Sequence, residues 1–455
     1  MNELNKVKGT EDRNNKLVRD AFYGSGGFDD GSYLCRYDRE PDESFNTRKK
    51  LAYYFNYTKP IVEGAVDPVF REYPTRIAEH EDERWNQFLV DVDGRGTPID
   101  KFMAEAALEA KLDGSVFIVV DNAAESTAAT LEESLARREF PYIYTLSRND
   151  VTNYVLDRYG RLILIEYVVK YDTVEEGKKK TVAEKWKWTE TDWLVIRDGL
   201  EFMGQNNIGT VPVVPLVGAN VDKQSSDQLR PASDFVQIAR ANMAIFNACS
   251  ELRQRNRSQA FSMLTYPVPE DENPDNYKEF VAGHDNALLY KGGTPPSWIT
   301  PDQAPSDMLK AEIQMLVEGI YRMAERASVT GVQTQSSGIA KEWDNFTRMQ
   351  SISAFSKVCQ QAEQSIADIF GLYIQKDLDV NVVYAKDFGI TDTKAELDKI
   401  TAALELNIGG KFDTEAKKDV ARLVMKDRDD EDIKAIVDDI DKRAEDMDYS
   451  MGNEE

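Results

Sequence analysis

The sequence predicts an α+β chain: a mixed α/β first half, two long helices around an irregular insert, a third and longer helix, and a helical C-terminal segment. Three observations predict it. Residues 115–197 carry short runs of β-branched and aromatic residues broken by turn signals, as strands do. Residues 233–262 and 308–328 carry apolar residues at alternating steps of three and four, as helices with a narrow apolar seam do. A Pro-rich, acidic insert separates those two helices, and a third periodic run follows them to about residue 375.

Within residues 1–232, helical periodicity is expected near 45–70, 77–90 and 98–111. Strands are expected at Val116–Asp121, Tyr142–Leu146, Arg161–Tyr171, Thr181–Thr189 and Trp193–Arg197. Glu175-Glu-Gly177 ahead of Lys178-Lys-Lys180 suits a hairpin turn between two of these. The prolines of Val211-Pro-Val-Val-Pro215 hold that stretch extended and close the module.

Ser233 is the expected N-cap of a helix to about Ser262, roughly 45 Å long at 1.5 Å per residue. Its inward stripe is Phe235, Ile238, Asn242, Ile245, Cys249 and Leu252, after which Arg253, Arg255 and Arg257 take over. A strand is expected at Asn286–Tyr290 inside the insert. The return helix, from about Met308 to Arg326, carries Leu309, Ile313, Leu316, Ile320, Met323 and Ala327. Such seams suit a hairpin inside one chain and equally suit packing against copies of the same chain. Val329–Gly338 is an uncharged loop of small residues, longer than most helix–helix connections. Ile339 opens the longest helix, which carries Trp343, Phe346, Phe355, Val358, Ala362, Ile366, Ile369 and Tyr373. Residues 379–455 read as one strand, Val380–Tyr384, and three short helices; Gly409-Gly410 parts the first two and Asp413 can cap the second.

The chain has 455 residues, room for several modules around a large core. Its three cysteines, Cys35, Cys249 and Cys359, are too few and too scattered for a disulfide framework or a zinc site. The first twenty residues are charged throughout, and the most apolar stretches, such as Ser115–Val120, are far too short to span a bilayer. The expectation is a chain folded in a reducing cytoplasm, with no membrane partner. A net charge of −25 argues against tight, sequence-reading contact with nucleic acid, which needs clustered Lys and Arg.

Catalytic chemistry is nearly absent from the sequence. The only histidines are His80 and His284. Gly409-Gly410-Lys411 lacks the spacing of a phosphate-binding loop. Asp91-Val-Asp93-Gly94-Arg95-Gly96 starts like a calcium loop but has Phe102 where a bidentate Glu is needed, so it reads as a turn into the next helix. Asp427-Arg-Asp-Asp-Glu-Asp432 reads as an acidic helix start favoured by the dipole. No enzyme, metal or cofactor is expected.

Several segments, in one order, carry a resemblance. They are Asp93-Gly94; Asp113-Gly-Ser-Val-Phe-Ile-Val-Val-Asp121; Ser233-Asp-Phe235 with Asn247-Ala-Cys-Ser250; Asn286-Ala-Leu-Leu-Tyr290 with Gly292-Gly293; and Ser337-Gly338-Ile339-Ala340. As a co-linear set spanning roughly 50–445, this resembles the portal protein of tailed bacteriophages. The resemblance implies a portal-like α+β fold: an N-terminal wing over 1–232, stem helices at 233–262 and 308–328, and a clip at 263–307. A tunnel loop at 329–340, a long wing helix at 341–378 and a helical crown at 379–455 complete it.

It further implies a homo-oligomeric ring, usually of twelve copies, at one capsid vertex of the virion, assembled in the host cytoplasm. Double-stranded DNA would pass through its centre non-specifically during packaging and ejection. Partners would be the large subunit of the terminase motor, the tail adaptor, and the major capsid and scaffolding proteins. On this reading Gln333, Thr334, Gln335 and Ser336 of the tunnel loop touch DNA weakly. Arg253, Arg255 and Arg257 face the lumen or a neighbouring subunit. Glu270, Asp271, Glu272, Asp275 and Glu279 form the clip's docking surface. The residues by themselves leave open another oligomeric connector or scaffold without a channel, a monomeric adaptor, and a carboxylate-based nuclease, for which no strand-end cluster can be assembled.

Overall fold

The computed structural model describes residues 2–122, 130–175, 177–223, 225, 227–259, 263–268, 287–291, 295–299, 302–324, 338–386, 388, 393–405, 409–425, 435–437 and 439–443. Two compact units divide the chain, Met1–Phe388 and Gly389–Glu455.

The first unit opens with α1 (Asn2–Tyr23), α2 (Asp42–Leu51) and α3 (Thr58–Val66). β1 (Thr75–Ala78), α4 (Glu83–Val90), α5 (Ile99–Asp113), β2 (Ser115–Asp121), α6 (Leu131–Arg137) and β3 (Tyr142–Ser147) follow. Local chemistry sets the boundaries. The Asp82 carboxylate accepts from the Arg84 N–H at 2.9 Å and caps α4. The Thr130 hydroxyl accepts from the Glu133 N–H at 3.2 Å and caps α6. α5 begins after Pro98 and ends at Gly114, whose φ of +86° suits glycine; a side chain there would collide with the Pro231 carbonyl.

A five-stranded antiparallel meander comes next: β4 (Val151–Leu156), β5 (Leu162–Glu175), β6 (Lys178–Thr189), β7 (Asp192–Arg197) and β8 (Leu200–Gln205). β9 (Val213–Val217) returns to pair antiparallel with β2, whose other edge carries β3. β2 is therefore a central strand covered on both faces, which is why its sequence is a continuous apolar run. Val116, Ile118 and Val120 join the core built on α4 and α5, while Phe117 and Val119 face the tyrosines and tryptophans of β5 and β6.

Then follow α7 (Val236–Gln259), β10 (Met263–Val268), β11 (Ala287–Lys291), β12 (Ser297–Ile299), α8 (Ala304–Met323), α9 (Gly338–Ile374) and β13 (Val380–Val383). β13 pairs antiparallel with β1, so the strand expected at the head of the C-terminal segment folds with the first unit. The second unit holds α10 (Thr393–Glu405), α11 (Gly410–Val424) and helical residues 435–437 and 439–443. Lys418 pairs with Glu415 inside α11 at 2.8 Å and ties the helix to that last segment through Asp441 at 2.6 Å.

Local expectations needed correction at several points. The helix expected at 45–70 breaks into α2 and α3 around non-helical residues 52–57, where the aromatic run Tyr53-Tyr54-Phe55 disfavours helix. The helix expected at 77–90 starts only at Glu83, because Asp82 caps it and residues 75–78 pair as β1. α11 is capped at Gly409, not at Asp413, whose N–H bonds back to the Gly409 carbonyl at 3.0 Å.

Candidate functional site: a helical hairpin with a strand-bearing tip

The hairpin of α7 and α8 is anchored first at its base. Ser233 sits one turn before α7. Its hydroxyl accepts from the Phe235 N–H at 3.2 Å and donates to the Lys111 carbonyl at 2.7 Å, while its own N–H reaches Asn15 at 3.2 Å. The expected capping residue thus also welds α7 to α1 and α5. Lys111 extends this junction to α9: its Nζ donates to the Gly218 carbonyl at 2.5 Å and lies 4.1 Å from the centre of the Phe355 ring. Burial pushes its pKa below the ordinary lysine value.

Halfway up, Asn242 occupies a position in the apolar stripe and is completely buried. Its Oδ1 accepts from Tyr54 Oη (2.9 Å), the N–H groups of Tyr57 (3.0 Å) and Thr58 (3.2 Å) and the Thr58 hydroxyl (3.0 Å). Its Nδ2 donates to the Phe55 carbonyl at 2.8 Å. One amide therefore pins the aromatic segment 53–57 to α7 and supplies the first turn of α3 with an acceptor.

The seam between α7 and α8 uses most of the expected positions, but Met323, expected to face inward, stands exposed while Val317 packs in the seam. Ile238, Ile245 and Ile320 are buried together with Ile61, and Cys249, Ile313, Leu316 and Val317 pack against them. The seam covers only part of α8. Beside it lies an apolar groove of about 460 Å³ walled by Phe55, Tyr57, Cys249, Leu252, Ile313 and Val317. Met308, Met315 and Met323 of α8 stand 73%, 62% and 48% exposed.

At the tip, β10 pairs parallel with β11 and antiparallel with β12. Thr265 is buried there: its hydroxyl donates to the Ser297 carbonyl at 2.8 Å and accepts from the Ser297 N–H at 3.2 Å. Trp298 on the neighbouring strand is 62% exposed.

α9 is fixed to β1 and α5 by a buried ion cluster. Glu363, fully buried, pairs with Arg76 and accepts from Tyr384 Oη at 2.6 Å; Arg76 also reaches Asp100 at 2.7 Å. Burial alone would depress the Arg76 guanidinium, yet the Glu363 and Asp100 carboxylates outweigh it and hold its pKa above the ordinary value. Gln364 hydrogen-bonds both the Val380 carbonyl and the Val382 N–H, completing the join to β13.

The residues singled out in the sequence fall unevenly on this frame. Arg253 and Arg257 are exposed and one turn apart on α7, and Arg255 between them is half-buried, so the three do not share one face at about 100° per residue. Gln333, Thr334, Gln335 and Ser336, and Glu270, Asp271, Glu272, Asp275 and Glu279, lie outside the described residues. The Asp91–Gly96 turn satisfies its carboxylates from its own backbone: Asp93 accepts from the Arg95 N–H at 2.9 Å and Asp91 from the Gly96 N–H at 2.9 Å. Sequence reasoning missed Met308, Met315, the aromatic wall and Trp298, and placed Met323 on the wrong side of α8. Met308 and Met315, seven residues apart, were a legible signal; the contribution of residues 53–57 was not, because it arises through Asn242, far away in sequence.

No family model matches the sequence, and no curated protein matches it. Solved structures do. One is the virion of the native gene transfer agent particle, at 11% identity and a TM-score of 0.40, covering 82% of this chain and 92% of that chain. The neck of the native particle computed with C12 symmetry matches at 11% identity and a TM-score of 0.38 with the same coverage. An HK97 family phage portal protein from Corynebacterium diphtheriae matches at 11% identity and a TM-score of 0.33, covering 74% of this chain and 94% of that chain. The chain is thus similar, over most of its length, to a phage portal protein and to chains of gene transfer agent particles.

Proposed function

We propose that this chain is a ring-forming portal subunit at a virion vertex, a mechanical component through which double-stranded DNA passes during packaging and ejection. The observation that carries the reading is the order and length of the hairpin elements. A 24-residue helix, about 36 Å long, leads to a small sheet, and a 20-residue helix, about 30 Å long, leads back. A 37-residue helix anchored in the wing follows. A hairpin whose seam covers only part of one helix suits a stem that packs against copies of itself.

In this reading α7 and α8 are the stem, β10–β12 belong to the clip, and α9 is the long wing helix. Residues 333–336 of the tunnel loop contact DNA weakly, and the acidic residues 270–279 dock the motor and later the tail adaptor. Arg253 and Arg257 line the lumen or pair with a neighbour's carboxylates. The charge supports the role: each phosphate that a protein neutralises adds affinity, so a channel that must release its cargo gains from few clustered cations. Twelve copies would carry on the order of −300 formal charges, which repels DNA from the outer surfaces.

The test is the solution mass of the tag-free chain, with and without scaffolding protein, followed by negative-stain images. A ring of about twelve copies with a central hole is expected. A chain that stays monomeric at high concentration with scaffold present overturns the channel mechanism.

A further inference from the structure

At about 100° per residue, α8 carries two different apolar flanks beside its seam. One flank is the groove, where Ile313 and Val317 meet Cys249, Leu252, Phe55 and Tyr57. The other is a ridge of Met308, Met315 and Met323, exposed at 73%, 62% and 48%. We propose that the methionine ridge of one copy seats in the groove of the next, so that copies join head to tail through opposite flanks of the same hairpin. This rests on the ring reading and names the surfaces that would make the ring. A contact between two unlike patches of one chain propagates around an axis and closes when the rotation closes; a contact between like patches stops at a dimer.

Charge fixes the polarity of the contact. On the ridge, Glu312 lies toward the N-terminal end of α8 and Arg322 toward the C-terminal end. At the groove the signs are reversed: Lys310 lies N-terminal and Glu318 C-terminal. With neighbouring hairpins parallel, Glu312 comes level with Lys310 and Arg322 with Glu318, each within roughly 3–6 Å of helix rise. Antiparallel neighbours would set Glu312 against Glu318 and Arg322 against Lys310, so like charges oppose that arrangement. Parallel hairpins are what a common ring axis demands. Methionine suits the ridge because its unbranched thioether adapts to an irregular groove. A second copy, rather than an unrelated helix, is the occupant because the same chain carries both halves with matched polarity.

Cys249 in the groove wall supplies the test. A disulfide needs Cα atoms about 4.4–6.8 Å apart, so it forms only where the ridge enters the groove. Two forms of the full-length chain, both carrying Cys35→Ser to remove the exposed thiol, are co-expressed. One also carries Met315→Cys and Cys249→Ser; the other keeps Met315 and Cys249. Mild copper–phenanthroline oxidation is expected to give covalent dimers joining the introduced thiol to Cys249, identified by peptide mass, only when both forms are present. A single chain with Met315→Cys and native Cys249 is expected to give a ladder beyond the dimer. Met315 is exposed, so its replacement leaves folding intact. A ring by mass without these disulfides overturns the pairing while leaving the ring reading standing. A ladder that stops at the dimer overturns the head-to-tail contact. A monomer without disulfides overturns both.

Discussion

Asp113 shows how one residue couples folding to pH at the root of the hairpin. It closes α5 beside Gly114; its carboxylate pairs with Arg19 at 3.0 Å, and its carbonyl accepts from Asn15 at 2.9 Å. Burial raises its pKa, Arg19 offsets part of that, and the neighbouring Glu109 adds to it, so the carboxyl is pushed up to about 6. Between pH 4 and 6 the folded chain therefore holds a proton that the unfolded chain has lost, and stability falls as pH rises through that window. The side chain is only 10% exposed. A shift of this size corresponds to up to about 3 kcal/mol. Denaturant midpoints for Asp113→Asn are expected to flatten between pH 4 and 6 relative to the native chain, with the variant the more stable at pH 7. An unchanged slope would assign the pH dependence elsewhere.

Among the elements, the seam of α7 and α8 was the part most legible in the sequence. Ile238, Ile245, Ile313, Leu316 and Ile320 stand at the spacing of three and four that a helix pair dictates, and they do pack as that spacing predicts. α9 and the central strand β2 were legible for the same reason: their periodicity or apolar run is set by what they bury. α1 was not, because Leu17, Val18, Ala21 and Phe22 make only a short apolar side on a charged helix. β4 and β8 were not, because they are edge strands whose side chains are largely exposed and carry little alternation. The parallel pairing of β10 with β11 joins segments separated in sequence and leaves no local trace. Of the candidate site, the hairpin could be read and the aromatic wall could not, since Asn242 looks like a flaw in an apolar stripe. Its burial predicts the opposite. Asn242→Leu strips the acceptor from Tyr54, Tyr57 and Thr58 together, and stranding such donors is expected to cost about 3 kcal/mol. Hydrogen exchange should rise first across residues 53–58; uniform protection there would mean that packing, not the amide, holds the segment.

For the whole molecule, net charge and apolar surface pull against each other. A chain of charge −25 repels its own copies, and the repulsion reaches as far as the solution lets it. The screening length is about 30 Å at 10 mM salt and about 10 Å at 100 mM. The apolar contact offered by the methionine ridge and the groove depends little on salt over this range, and the charge pairs beside it number too few to offset the monopole. Assembly is therefore expected to strengthen as salt rises from 10 to 200 mM, with sedimentation velocity showing a growing share of the large species. Retention of duplex DNA should stay weak throughout, because a net charge of −25 opposes the counterion release that drives binding. Dissociation on adding salt would reverse the account: ion pairs between subunits, such as Arg253 or Arg257 with a neighbour's carboxylates, would then hold the assembly, and the apolar ridge would be secondary.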